Sequence, residues 1–263
     1  MSQTHTFHRT RLYKVFLSKN KSKLVMSASK AVDLELIVWN YVRNEYETKF
    51  NQINVPMPLK YLIVSLSKQI IGSKLLTVKE DIDFVKLLLT KISKIKRFNL
   101  LLRATKDGFQ AKDFHNKCDK KNGQTITIIK SNFGNIFGGS ITVPWTSDWG
   151  CHKDKDAFLF LIRSSNELEQ KECPLLFELK ENKSDYAIWQ SSEDGPIFGS
   201  DLGIRDNGND TATDDYKVSN YVQQCHYNYG KFKGVLCGGN LKSNSSRSVY
   251  CFQVLEYEVF QIQ

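Results

Sequence analysis

No long apolar run occurs in this sequence. The longest uninterrupted apolar stretches, such as AFLFLI at 157–162, are far shorter than the roughly 18 residues that a membrane span requires. The amino terminus, MSQTHTFHRTRLYK, also lacks the apolar segment of a secretory signal. We therefore expect a protein without a transmembrane segment that stays inside the cell, in the cytoplasm.

Cysteine pairs of the CxxC type are absent as well. The six cysteines are scattered at Cys118, Cys151, Cys173, Cys225, Cys237 and Cys251. A chain of 263 residues can bury a core without disulfide bonds. Free thiols in a reducing compartment are therefore expected.

Blocks of consecutive basic residues are missing, although the net charge is +9. Residues 1–98 hold 18 lysines and arginines against 7 aspartates and glutamates, a net charge of +11, while the remainder holds 19 against 21, a net charge of −2. Without alternating aromatic and basic residues, no nucleic-acid partner is expected. Two interpretations remain: a solvated helix face, or peripheral contact of the basic region with an acidic surface.

What the chain does contain is enough apolar material for a packed core. Its residues are 41% hydrophobic, 25% charged and 12% aromatic. This composition argues against wholesale disorder, and the length fits one large domain or one domain with an appendage. The periodicity of apolar residues in the first part predicts a helix over 24–50 and a short buried helix over 59–71, ended by Gly72.

A capping box predicts the start of a further helix. Thr77 and Glu80 have the T-x-x-E spacing in which each side chain binds the other residue's backbone N–H. The apolar residues behind it step by four and three, at Val78, Ile82, Val85, Leu89 and Ile92. This stripe predicts the face that packs on the following domain.

After residue 99 the pattern changes to short strands. Apolar or alternating runs are separated by Gly, Asn, Asp and Ser: NLLLRAT, TITIIKS, GGSITVPW, DAFLFLIR, LLFELK, YAIWQS and YCFQVLEYEVFQI. They predict antiparallel sheets folded into a sandwich, interrupted by one helix at 110–117. A change of parity around Leu255 and Glu256 predicts a bulge in the last strand.

Five blocks of this region, in order, resemble those of the TLDc domain, which is found in the oxidation-resistance proteins. They are LLLRATKDGFQAKDFHNKCD at 100–119, TITIIKSNFGNIFGGSITVPW at 125–145, DAFLFLIR at 156–163, DGPIFGSDLGI at 194–204 and LEYEVFQI at 255–262. The resemblance covers 73–263 and implies an α+β fold, a two-sheet antiparallel β-sandwich flanked by helices. Residues 1–72 then form a basic helical extension that resembles no family.

The motif residues have structural explanations. Asp107 and Gly108 supply a turn, Phe109 anchors the helix that follows, and Gly138 with Gly139 permits a bulge or close backbone approach. The residues to which we assign structural roles are Arg103, Asp107, Gly108, Phe109, Phe114, Gly134, Gly138, Gly139, Trp145, Gly195 and Gly199. None of these roles requires a reacting group.

Histidine and cysteine residues raise two possible chemistries, metal binding and thiol catalysis. His115 and Cys118 share a helix face, and Cys151-His152 and Cys225-His226 supply further ligand types, but the separations match no common zinc spacing. We therefore expect no metal and no cofactor. Cys118 or another free cysteine remains the alternative nucleophile of a peroxide-consuming enzyme. A helix end and Asp119 both raise the pKa of the Cys118 thiol, whereas Lys117, Lys120 and Lys121 lower it.

Glu256 and Glu258 alternate with hydrophobic residues in LEYEVF. This pattern is typical of a solvated strand face. The TLDc resemblance nevertheless makes an acidic edge at this end of the sandwich a candidate contact surface, with Glu256 and Glu258 as its binding residues.

The resemblance also implies a function. TLDc proteins protect cells against oxidative stress, and several bind the vacuolar proton-pumping ATPase (V-ATPase) and regulate its assembly. No catalytic residues are carried over. The expected function is a non-enzymatic interaction module, and the alternative is a thiol-dependent antioxidant enzyme.

Overall fold

A computed structural model describes residues 16–17, 24–25, 70–93, 95–210, 220–223, 225–232, 236–238 and 250–263. The chain divides into two units, 1–70 and 71–263. In the first, strand β1 (Phe16–Leu17) pairs antiparallel with β2 (Leu24–Val25). The prediction that a helix begins near Leu24 is therefore wrong at these two residues. The rest of the helix predicted over 24–50 lies outside the described residues, as does the one over 59–71, apart from residues 70 and 71, which form a bend.

The second unit contains two antiparallel sheets and a few short helices. Its strands are β3 (Phe98–Arg103), β4 (Thr125–Ser131), β5 (Ile136–Ile141), β6 (Gly150–His152), β7 (Phe158–Arg163), β8 (Leu175–Glu178), β9 (Ile188–Gln190), β10 (Asp194–Phe198), β11 (Leu202–Arg205), β12 (Asn220–Val222), β13 (Tyr250–Phe252) and β14 (Val254–Ile262). Its α-helices are α1 (Val78–Leu88), α2 (Ala104–Asp107), α3 (Ala111–Cys118) and α4 (Glu167–Gln170), and a 3₁₀ turn covers Ser184–Tyr186.

Each sheet has six strands. The first runs in the order β3-β14-β4-β5-β7-β8, and the second in the order β13-β12-β11-β10-β9-β6. This arrangement confirms the α+β sandwich. The register shift between Val254 and Glu256 confirms the bulge in β14. No helix among the described residues is long and apolar enough to span a membrane.

Aromatic rings fill the core between the sheets. The Trp145 ring lies 5.3 Å from that of Phe114 on α3 and 5.6 Å from that of Phe198 on β10, both in edge-to-face geometry. The buried indole N–H of Trp145 donates to Thr125 Oγ1 at 3.1 Å. Trp145 therefore joins α3 to both sheets without leaving its polar atom unpaired.

Helix α1 confirms the capping box but not the predicted stripe. Thr77 and Glu80 make the reciprocal bonds. The buried face consists of Asp81, Phe84, Val85 and Leu88, whereas Val78 is 49% exposed and the helix ends before Ile92. The buried face of α1 differs from the predicted stripe because Asp81 points inward. There its carboxylate accepts hydrogen bonds from the Ile71 N–H. Phe84 packs on Phe160 of β7 with 4.5 Å between ring centroids, so α1 does cover the sheet as predicted.

Close packing on both faces of β5 accounts for its two glycines. A Cβ on Gly138 would lie 1.8 Å from the Thr127 carbonyl oxygen, and a Cβ on Gly139 would lie 2.5 Å from the Phe198 ring. Strand β5 is consequently buried along its whole length. The backbone of β4 thus approaches Gly138 closely, whereas at Gly139 the close neighbour is the Phe198 ring.

Candidate functional site

Glu258 lies on the outer face of the first sheet and is completely buried. Arg103, its neighbour on β3, donates from Nε to Glu258 Oε1 at 2.6 Å. The Ser73 hydroxyl donates to Oε2, and the Lys74 backbone N–H donates to Oε1 at 3.2 Å. The side chain thus joins the segment that leads into α1 to the terminal strand. Its charge is balanced by a guanidinium that is itself only 13% exposed.

Glu256 makes a second set of bonds one step along the same face. Its Oε1 accepts from the Thr105 backbone N–H at 3.0 Å, and its Oε2 accepts from the Thr105 hydroxyl. Helix α2, which contains Thr105, is thereby held against β14. Glu256 itself is 8% exposed.

The prediction of a solvated strand face for Glu256 and Glu258 is therefore wrong. The alternation of inward and outward side chains along β14 is confirmed, because Tyr257 and Val259 point into the core. What the pattern could not show is that residues 73–74 and α2 cover the outer face at this point. The edge of the sheet at β3 is therefore formed by β3, α2 and residues 73–74. Its exposed residues are Lys74, Leu100, Thr105 and Lys106, and the carboxylates of Glu256 and Glu258 lie beneath them.

Asp107 and Gly108 lie where the chain turns after β3 and α2. Asp107 Oδ2 accepts the Arg103 N–H at 2.9 Å, and Lys117 pairs with Oδ1 at 3.2 Å. Burial favours the neutral acid, but these two interactions outweigh it and lower the pKa of the Asp107 carboxyl below its ordinary value. Gly108 follows at φ +115°, with the Asp113 carboxylate where a Cβ would lie.

Helix α3 is anchored by His115, a residue that the sequence also made a candidate zinc ligand. His115 Nε2 lies 2.8 and 2.9 Å from the Ser191 and Asp194 carbonyl oxygens, and Nδ1 lies 2.8 Å from Asp119 Oδ1. Both ring nitrogens thus face acceptors: Nδ1 faces Asp119 at the end of α3, and the two carbonyls at Nε2 attach α3 to the loop after β9 and to the first residue of β10. His115 is a structural anchor in this arrangement.

Cys118 is completely buried in the core. Burial first, and then the charge of Asp119, raise the pKa of its thiol well above the ordinary value. A thiol held protonated and away from solvent is a poor nucleophile toward peroxide. The geometry therefore supports a packing role for Cys118.

The remaining thiols are dispersed. Cys151 and Cys225 are exposed, and burial with nearby Glu169 raises the pKa of Cys173 to about 11. Over the described ranges, no group of three or more His, Cys, Asp or Glu side chains is arranged to hold a metal ion.

The other motif residues lie at packing positions. Phe109 contacts Tyr257 with 6.2 Å between ring centroids, and Phe114 is completely buried. Gly134 lies in the tight turn between β4 and β5 with φ +93°, and Gly195 lies against Ile204. Gly199 has φ +56°, close to the His226 ring.

A family model for the TLDc domain matches residues 70–263. The chain belongs to the TLDc family. The match includes α1, both sheets and every residue of the edge described above. A search of curated proteins found no match.

Sequence reasoning missed two residues of this TLDc edge, Ser73 and Thr105. Ser73 lies 185 positions from its partner Glu258, and Thr105 lies 151 positions from Glu256. No local pattern connects residues so far apart. The sequence signal that does exist is the pair of acidic residues two apart in a strand that otherwise belongs to the core.

Proposed function

We propose that this TLDc protein is a non-enzymatic interaction module that protects cells against oxidative stress and binds the V-ATPase. The observation that carries the proposal is the family match over 70–263, which spans the whole sandwich. The burial of Cys118 adds support, because it leaves the thiol that the sequence favoured for catalysis without access to substrate.

The contact region in this proposal is the edge at β3, backed by Glu256 and Glu258. Strand β3 is the outermost strand of its sheet, and its Leu100 side chain is 42% exposed. No described strand pairs with its outer edge, and such an edge with an exposed apolar residue suits a protein partner. Glu258 and Glu256 support this edge because they hold Arg103 and Thr105 in place at the end of β3.

A matched pair of leucine variants tests this proposal. Leu100→Glu puts a charge on the β3 edge, whereas Leu168→Glu puts the same charge on α4, where the leucine is 73% exposed. Each full-length protein is expressed in cells that lack their own TLDc proteins, and survival in peroxide is measured together with co-purification of V-ATPase subunits. We expect Leu100→Glu to lose both and Leu168→Glu to retain both. Equal behaviour of the two variants would exclude the β3 edge as the contact region.

The basic N-terminal region supports a second contact, with an acidic partner or an anionic membrane surface. Its net charge of +11 over residues 1–98 is the observation behind this proposal. Such contact weakens steeply as salt is added. Sedimentation of the full chain with anionic vesicles at low and moderate salt tests it, and salt-independent sedimentation would contradict it.

A thiol-dependent antioxidant enzyme is the alternative. The specific observation in its favour is the exposure of Cys151 and Cys225. It requires catalytic peroxide turnover by the purified protein, and loss of that turnover when the responsible cysteine is replaced.

A further inference from the structure

Basic side chains gather at one end of the first sheet. Because neighbouring strands are antiparallel, β3, β4 and β7 begin at this end, and β14, β5 and β8 finish there. The segments that lead into β3, β4 and β7, and the one that follows α1, each bring exposed cationic residues to it. The cationic residues of this basic end are Lys91, Lys96, Arg97, Lys120, Lys121 and Lys155.

Hydrogen bonds hold these segments against the ends of the strands. The backbone N–H groups of Lys96 and Arg97 both donate to the carbonyl oxygen of Gln263, directly after β14. The side-chain amide of Gln261 donates to the carbonyl oxygen of Asn122, in the segment that leads into β4. The basic end is therefore built on backbone that is tied to the sheet.

Few carboxylates balance the charge of the basic end. Glu178, the last residue of β8, pairs with Lys91, and Glu181 lies beyond β8. Asp156 is the other exposed carboxylate in these segments. Four of the cationic residues form no ion pair within the part of the chain that the structure describes, and a surface of this kind attracts an anionic partner. They are Lys96, Lys120, Lys121 and Lys155.

A hollow of about 520 Å³ lies within the basic end, between the residues that follow α1 and the ends of β7 and β8. Lys91, Ser93 and Lys155 line it with two ammonium groups and a hydroxyl. These donors suit a carboxylate, which accepts charge-assisted hydrogen bonds. Asp156 and Glu178 line the hollow as well, so that they would repel a second anionic group.

A protein segment suits the basic end better than a membrane surface does. The exposed large apolar side chains of the described residues all lie outside its segments, so none is placed there to insert among lipid chains. The hollow makes the surface concave, whereas a bilayer is flat. Lys96 and Arg97 also lead directly into β3, whose outer edge is the contact region proposed above.

We infer that the basic end binds an acidic segment of a partner protein, rich in aspartate and glutamate, with one carboxylate in the hollow between Lys91 and Lys155. The inference rests on the proposed interaction function, because the basic end continues the contact region at β3. It goes beyond the charge of residues 1–98, since Lys120, Lys121 and Lys155 come later in the chain.

Titration of the full-length protein with a blocked, labelled ten-residue peptide of alternating Glu and Gly tests the inference. Fluorescence anisotropy is read at low and moderate salt, and a Gln-Gly peptide of equal length is the control ligand. We expect saturable binding that weakens with salt and is about tenfold weaker in the double variant Lys121→Glu/Lys155→Glu. The matched variant Lys112→Glu/Lys171→Glu makes the same change of charge at exposed positions on α3 and directly after α4, and it should bind as the wild type does.

Thermal unfolding shows which variants remain folded, and Lys121→Gln/Lys155→Gln replaces the charge reversal if that variant unfolds. The inference is overturned if the Glu-Gly peptide does not bind saturably by about 1 mM at low salt, if the Gln-Gly peptide binds equally well, or if the two double variants bind alike. Binding to phosphatidylserine vesicles that depends on Lys121 and Lys155, without such dependence for the peptide, would also overturn it. Peptide binding requires no V-ATPase, so failure of this inference and failure of the proposed function are seen separately.

Discussion

Arg163 and Glu80 form a two-pronged ion pair between strand β7 and helix α1. The guanidinium Nε and one terminal nitrogen each lie 2.6 Å from a different carboxylate oxygen. The same carboxylate accepts the Thr77 N–H at 2.8 Å. Burial raises the pKa of Glu80, but the bonds from Arg163 and Thr77 outweigh it, so the pKa lies below the ordinary value. The Glu80 carboxylate thus caps the start of α1 and also attaches this helix to strand β7.

Glu80→Gln is therefore expected to destabilise the domain by about 1–3 kcal/mol at neutral pH. Because the folded-state pKa of Glu80 is lowered, its contribution is present above the ordinary pKa and is lost as the pH falls through the folded-state value. Urea unfolding of the wild type and the variant should therefore converge in acid. As a control, Lys86→Gln removes the exposed pair with Asp83 and should cost less than about 1 kcal/mol. Equal losses from both variants would contradict this account of the ion pair.

Gly138→Ala is expected to be among the most damaging single-methyl additions to the sandwich. The new Cβ would lie 1.8 Å from the Thr127 carbonyl oxygen of the paired strand, where only backbone movement can make room. We expect a loss of about 3 kcal/mol or more in the free energy of unfolding. Gly230→Ala, which has no atom within 4 Å of its Cβ but a φ of +54°, should lose only about 1–2 kcal/mol. Comparable losses at the two positions would show that β5 and β4 are less closely packed than described.

Asp201 predicts a pH dependence of opposite sign to that of Glu80. This carboxylate is buried in the turn between β10 and β11, where it accepts the Cys225 and Tyr227 N–H groups at 2.8 and 3.2 Å. Burial raises its pKa to about 6, although bonds from the His226, Tyr227 and Cys225 backbone oppose the rise. Between about pH 4 and 6 the folded protein then holds more protons than the unfolded chain, so this group lowers stability as the pH rises.

Comparison with Asp201→Asn isolates that effect. The wild type should lose stability relative to the variant by up to about 1.4 kcal/mol per pH unit across this window. The comparison is made at each pH because His226, whose pKa is lowered by burial and then by Lys183 and Lys180, changes stability in the other direction. A difference that does not vary between pH 4 and 6 would mean that Asp201 keeps an ordinary pKa.

Thiol accessibility separates the proposed function from the enzymatic alternative. A thiol-specific reagent should modify exposed Cys151 in the folded protein, whereas buried Cys118 and Cys237 should react only on unfolding. Cys151→Ser, Cys225→Ser and the double variant should leave peroxide consumption no more than stoichiometric with the remaining thiols. Many turnovers of peroxide per protein, abolished in one of these variants, would instead establish a thiol enzyme.

The sequence predicted those parts of the fold that local patterns determine. The capping box at Thr77 and Glu80 and the bulge at Leu255 and Glu256 were both found in this way. Strands β6, β10, β11 and β12 were not identified as separate strands, because they are three to five residues long and contain glycine or polar side chains. Short strands of this kind are set by their neighbours more than by their own pattern.

The sequence predicted only part of the candidate site. Glu256 and Glu258 were selected from their alternation, yet their burial depends on Ser73 and Thr105, which come from distant parts of the chain. The row that Cys151, Trp189, Ile197, Gly203, Tyr221 and Cys251 form across the second sheet gave no sequence signal either, because these residues come from separate strands and meet only through the register of the sheet. Local periodicity carries no information about either arrangement.

Direct binding of the purified full-length protein to purified V-ATPase tests the central claim. Labelled wild type, Leu100→Glu and Leu168→Glu are titrated with the V-ATPase at low and moderate salt. The account predicts saturable binding by the wild type and by Leu168→Glu, and at least tenfold weaker binding by Leu100→Glu. Failure of the folded wild-type protein to bind at either salt concentration would contradict the proposal that this TLDc protein acts on the V-ATPase.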